Sequence, residues 1–207
     1  MKKQLLFILF SILNLRQFIT CGQVDNDYSP DCEQTPVPGA DTEILVINFE
    51  DWGNATITKT AKTITDIALA STKKAYSIES SRGQTAVSIT SSKLEGLNLW
   101  IHQITTKINS QGATEKALLE DLAQGSFVIL ARVKTGEAAD QFQVLGSDSG
   151  LTGEDAAFDT TTSGMTTILL KNSTDPAEFE KSAGFTFWDN DLPTTLAKWE
   201  ALKVAAS

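Results

Sequence analysis

From Glu43 onward the chain is a succession of short apolar or alternating runs, rich in Thr, Val and Ile and separated by polar turns. Residues that are β-branched and spaced with a period of two fit a pleated, half-solvated surface and resist long helices. Glu43 to Glu50 (EILVINFE) is a compact apolar run suited to a buried strand. Ile57 to Lys62 follows more weakly. In Ile64 to Ala70, the residues Ile64, Asp66 and Ala68 face opposite to Thr65, Ile67 and Leu69. Ser71-Thr72-Lys73-Lys74 reads as a turn into Ala75 to Ser80, so a hairpin is expected over 64–80. Gln84 to Ser91 alternates Ala86, Ser88 and Thr90 against Val87 and Ile89. The long segment Leu97 to Ile108 sets Trp100, His102 and Ile104 opposite Leu97, Leu99 and Ile101.

One helix interrupts the series. Thr114 is placed as its N-cap, Glu115 and Glu120 lie early, and Ala117, Leu118 and Leu122 share a face. Gly125 stands where a left-handed cap is expected. Strands resume at Phe127 to Val133 and Gln141 to Leu145, and residues 146–164 read as a long polar loop. Met165 to Leu170 and Gly184 to Trp188 complete the strands. Pro193-Thr194-Thr195 then opens a short helix with Leu196, Trp199 and Leu202 on one face. The expected class is mostly β, a β-sandwich or partly closed β-barrel, with one packed α-helix and a short C-terminal helix.

Three zones divide the chain: residues 1–20, residues 21–42 and a β-rich structural domain over 43–207. Lys2 and Lys3 precede the apolar run Leu5 to Leu15, the size of a signal-peptide core and shorter than a membrane span. Phe18-Ile19-Thr20-Cys21 resembles a lipoprotein box in which Cys21 would be acylated, with Phe18 and Thr20 departing from the usual residues. A signal-like leader and a plain N-terminal extension both fit. Cys21 and Cys32 could pair in an exported protein; lipid on Cys21 would leave Cys32 as an odd thiol, and in a cytosolic one both are reduced. Residues 22–42 hold three prolines, two glycines and five acids with no hydrophobic period, and read as a linker or extended arm.

Charge and residue counts narrow the chemistry. With 17 Lys+Arg against 26 Asp+Glu and a net charge of −9, the 207-residue chain lacks the cation excess that grips nucleic-acid backbone. One histidine and two cysteines supply no ordinary zinc, haem or iron–sulfur ligand set. His102 is the sole histidine, so any Ser-His or Cys-His catalysis must use it; its place on a strand beside Trp100 and Ile104 suits a structural or surface role. Asp148-Ser149-Gly150 echoes the nucleophile tripeptide of chymotrypsin-like proteases without that family's context, and reads as a turn. No phosphate-binding or dinucleotide glycine fingerprint occurs.

Carboxylates are the remaining catalytic option, since glycoside hydrolysis needs only two. Glu50 and Asp51 adjoin Trp52, while Asp189 and Asp191 follow Trp188. Neighbours on a strand point apart, so a working pair would have to be Glu50 with Asp189 across the fold. Six acids between Thr135 and Leu170 (Glu137, Asp140, Asp148, Glu154, Asp155 and Asp159) with no Lys or Arg could hold calcium, although their spacing fits no EF-hand loop. A solvated, self-repelling loop and an oligomer contact are the other readings of that stretch. No catalytic, cofactor-binding or metal residue is assigned, and no cofactor is expected.

The order of elements resembles tail-tube-like virion structural proteins of tailed phages, especially those of Bacteroidota hosts. The likeness covers roughly residues 31–190. It runs from Cys32 and Pro36/Pro38-Gly39 through EILVINFEDW and ITDIALASTKKAYSIE to the two long strands. It continues with ALLEDLAQGSFVILARVKTG, QFQVLGSDSGL, the acidic stretch and MTTILLKN. The resemblance implies a non-enzymatic subunit that closes into rings, usually hexameric, and stacks with other virion proteins into a tail tube. Residues 22–42 and 135–164 would bridge subunits or rings. DNA would pass through an acidic lumen without specific binding, because like charge repels phosphate. The alternative is an exported, outer-surface lipoprotein anchored through Cys21: a β-sandwich binding a glycan or surface ligand, with Trp52, Trp100 or Trp188 on an exposed platform.

Overall fold

The computed structural model describes residues 39–205 except 81–83, 95–96, 109–111, 135–136, 160–164, 174 and 176–177, and only the backbone at 93–94, 97–98 and 155–159. The leader, most of the arm, Cys21 and Cys32 lie outside these residues. The chain is mostly β. Its elements are β1 (Ala40–Asn48), α1 (Phe49–Gly53), β2 (Thr56–Thr60), β3 (Thr63–Ala68), β4 (Tyr76–Glu79), β5 (Ala86–Leu94) and β6 (Leu97–Ile108). There follow α2 (Ala113–Gln124), β7 (Ser126–Val133), a 3-10 turn (Ala138–Asp140), β8 (Phe142–Leu145), β9 (Leu151–Asp159), β10 (Met165–Lys171), β11 (Phe185–Phe187) and α3 (Leu192–Leu202).

All eleven strands join one mixed sheet in the order β2-β3-β11-β8-β7-β9-β10-β6-β5, with β1 pairing β7 and β4 off that path. Among the described strands, only the β11–β3 pair runs parallel. The sheet does not close. Its middle is apolar on both faces, which is why β1 and β7 carry unbroken hydrophobic runs. Ile44, Val46, Ile129 and Ala131 point into one core with Ile104, Ile168 and Leu170. Leu45, Ile47, Val128 and Leu130 point into a second with Ile64, Phe142, Trp199 and Leu202. Helix α2 covers the first core through Leu118, Leu119 and Leu122, and α3 covers the second, so the arrangement is sandwich-like.

Several expectations need correction. Strand β1 begins at Ala40, so Ala40 to Thr42 belong to the sheet and not to the arm. It ends at Asn48, and Phe49 to Gly53 turn into α1, which places Glu50 on a helix. The hairpin expected over 64–80 does not form: β3 pairs with β2, while β4 pairs with β1. The real hairpin turns at Ala61 (φ 51°), a position without the glycine or asparagine that signals such a turn. Leu151 to Asp159, expected as loop, is a full strand between β7 and β10. Thr114 lies inside α2, whose N-cap is Gly112, and Ala117 is exposed while Leu119 packs inward. Gly125 is the C-cap, yet its backbone is extended (φ −92°, ψ 171°) and not left-handed. A side chain there would strike the Phe127 ring, which accounts for glycine on packing grounds. The α3 reading holds: Asp191 caps it by accepting from the Thr194 amide at 2.7 Å, Pro193 sits in the first turn, and Trp199 and Leu202 are buried.

Candidate functional site

The two motifs singled out separately in the sequence, His102 and Asp148-Ser149-Gly150, meet in space around a third residue that sequence reading missed. On β6 the inward row is His102, Ile104, Thr106 and Ile108, all buried. The His102 amide donates to Asn172 Oδ1 at 2.7 Å, and Asn172 Nδ2 donates to the Trp100 carbonyl at 3.2 Å. Trp100 and Glu180 exchange both backbone hydrogen bonds, at 2.8 and 3.1 Å, and so pin the segment before β11 onto β6.

Glu180 is fully buried, and its carboxylate is spent on the turn between β8 and β9. Oε1 accepts from the Ser149 amide at 2.9 Å and from Ser149 Oγ at 2.9 Å, and Oε2 accepts from the Asp148 amide at 3.0 Å. Asp148 Oδ2 in return accepts from the Lys181 amide at 3.2 Å. The turn is bracketed by Gly146 and Gly150, both at positive φ, with the Gly150 amide bonded to the Gly146 carbonyl at 3.0 Å. The Gly146 amide donates to His102 Nδ1 at 3.1 Å. That bond fixes the neutral ring as the Nε2–H tautomer, and Nε2 has no hydrogen-bond partner among the described residues.

Burial sets the charge state of both groups. It pushes His102 down to about 4, against the opposing pull of the Ser182 backbone and the Asp148 charge. It holds Glu180 above the usual carboxylate range, although the Ser149 and Asp148 hydrogen bonds favour the anion. A serine nucleophile needs its hydroxyl within reach of the base. Here Ser149 Oγ donates to Glu180 and His102 Nδ1 accepts from the Gly146 amide, so among the described residues hydroxyl and imidazole are not bonded to each other. With both ionisable side chains at 0% exposure, the cluster is a clamp between a strand and two loops.

The other candidates are dispersed. Asp51 is buried against Lys73 Nζ at 2.8 Å and Asn48 Nδ2 at 3.1 Å. Asp189 meets Lys198 at 2.9 Å, Asp191 caps α3, and Glu50 lends α1 its carbonyl for the Asn54 amide. The Lys73 hydrogen bond pulls Asp51 below its ordinary value, and the Thr194 amide does the same for Asp191, opposite to what a general acid requires. Of the six acids expected on one loop, Asp140 ends the 3-10 turn, Asp148 sits in the clamp and Glu154 pairs with Lys171 at 3.0 Å. Asp155 and Asp159 lie on β9, and Glu137 directly precedes the 3-10 turn. Among the described residues no group of three or more His, Cys, Asp or Glu is placed to hold a metal ion.

Trp52 is buried with its Nε1 donating to the Ser147 carbonyl at 3.2 Å, and Trp100 and Trp188 are half-buried, so the expected platform loses Trp52. A groove of about 630 Å³ lies between α2 and the β1–β4 pair, lined by Val46, Ile78, Leu118, Leu122 and Phe127. Tyr76, 51% exposed, stands on its lip. Two further open features are the end strands of the sheet, β2 and β5, each with one long side unpaired among the described residues. Comparison with protein-family models, curated proteins and solved structures gives no match for the chain.

Proposed function

We propose that the protein is a non-enzymatic structural subunit that assembles with copies of itself into rings, in the manner of phage tail-tube proteins. The observation that carries this reading is the open sheet with two unlike ends. Among the described residues, the nine-residue strand β5 and the five-residue strand β2 each have one edge with no strand paired to it. Unpaired edges recruit further strands, and natural proteins that stay monomeric block them with charge, proline or a covering loop. Along β5, Ala86 to Ser92 is free of charge and of proline. Joining the β5 end of one copy to the β2 end of the next is a head-to-tail contact, and such contacts close into rings or propagate as filaments. The net charge of −9 suits a conduit that DNA traverses without sticking.

Ser88 and Thr90 are exposed on β5, and β2 carries Lys59. Replacing both with lysine (S88K/T90K) sets like charges across the proposed seam. The assembly should fall to monomers in light scattering while the far-ultraviolet circular dichroism stays unchanged. Full-size assemblies in that variant would remove β5 from the contact. The second reading, an exported binding module, is favoured by the groove beside Tyr76. It predicts a ligand whose affinity falls on Y76A and whose binding leaves a monomer.

A further inference from the structure

The clamp around His102 holds together parts of the sheet that are otherwise joined thinly. Residues 180–184 lead directly into β11, and β11 is the strand that joins the β2–β3 hairpin to β8. That junction is short: Thr186 and Phe187 register with Thr63 and Ile64, and Phe185 and Thr186 with Val144 and Gln143. Around the imidazole stand Gly146 from the β8–β9 turn and Ser182 and Gly184 before β11, while Asn172 after β10 holds the His102 backbone amide; the position of a Gly184 Cβ is 3.6 Å from His102 Cε1. The charged or titratable groups facing the cluster are Asp148, the Glu180 carboxylate and, through Ser182 Oγ, Lys62 Nζ at 2.7 Å.

We propose that the His102–Gly146 hydrogen bond is an acid-released latch. Protonation turns Nδ1 from acceptor to donor against the Gly146 amide, expels the Gly146–Gly150 turn, and loosens β11 with the β2–β3 hairpin. The imidazolium would have two N–H donors in a closed site: Nδ1–H would face the Gly146 amide, itself a donor, and Nε2–H would have only the pull of the Ser182 backbone without a well-formed hydrogen bond, so the Nδ1 side disfavours the closed state. Acid thus favours opening as pH falls from the ordinary histidine value toward 4, the direction required of a group depressed by burial. Glu180 acts in the opposite sense, because a carboxyl held above its ordinary value binds its proton more tightly in the closed state. Asp51, Asp191 and Glu43 are held low, so their contributions are lost mainly below their ordinary values of 3.8 to 4.5, under the pH 7 to pH 5 range of the test.

The test uses the full chain at pH 7 and pH 5, reading amide exchange at Gly146, Thr186 and Trp188, corrected for the intrinsic rate. In E180Q the opened fraction should rise roughly twentyfold from the histidine alone, and in the wild type by less, since Glu180 opposes it. In H102N, whose amide oxygen takes the place of Nδ1 and does not titrate, acid should leave exchange unchanged or slow it. An H102N protein that loosens as E180Q does would overturn the latch. Because His102 is the sole histidine, its ring titration in the wild type is also directly readable by NMR. A midpoint near 4 supports the latch, and one near the ordinary 6.5 contradicts it whether or not H102N folds.

Discussion

Gly150 shows how one residue fixes the clamp. Its φ is +79°, and a Cβ would overlap Ser126 Oγ and lie 3.2 Å from the Phe49 ring. The left-handed backbone costs a non-glycine residue about 1–2 kcal/mol, and overpacking adds about 1–3 kcal/mol. Gly150→Ala should therefore lower stability by at least about 2 kcal/mol in urea titration; a loss under about 0.5 kcal/mol would mean the turn is not held as described. Asp51 gives a pH test at the same scale. Its carboxyl is depressed chiefly by the Lys73 hydrogen bond, so its contribution is present above the unfolded value and is lost as pH falls through the lower folded one. D51N should flatten the stability curve below about pH 4 relative to wild type, and parallel curves would show the pair contributes nothing. Glu180 was not legible in the sequence. It sits in a polar stretch with no hydrophobic period, and only folding reveals that two backbone amides and a hydroxyl converge on it. His102 and Asp148-Ser149 were legible as unusual residues, but not as neighbours, because the bond that brings His102 to their turn, from the Gly146 amide, spans 44 residues of chain.

Strong alternation identifies strands but does not choose their partners. Leu97 to Ile108 was readable to the residue as β6, since a period of two over twelve residues admits little else. Strand β9 was hidden because LTGEDAAFD has few apolar residues, and much of its place comes from ladder bonds to β10. The false hairpin over 64–80 followed from assuming that sequential strands pair, whereas β4 serves β1. Helix α2 separates the two kinds of inference. Leu122 is 3% exposed in the first core, so Leu122→Ala should cost about 2–4 kcal/mol. Thr114 lies inside the helix and is not its N-cap, so Thr114→Ala should change stability by less than about 0.5 kcal/mol. A cost near 1 kcal/mol, as for a lost N-cap, would restore Thr114 to that role.

For the molecule as a whole, the mostly-β class, the central helix, the short C-terminal helix and the net acidic charge were readable from composition and period; that two cores exist, each covered by one of these helices, was not. The order of strands was not. That order leaves β2 and β5 as unlike ends of an open sheet, and it supports the proposal of self-assembly more than any side chain does. The most direct test is the mass and shape of the particle formed by the chain from Gly22 onward, measured by light scattering and negative-stain microscopy over a wide concentration range. Rings or stacked tubes are the predicted result. A monomer at every concentration would contradict assembly through the sheet edges and leave the groove beside Tyr76 as the feature to pursue.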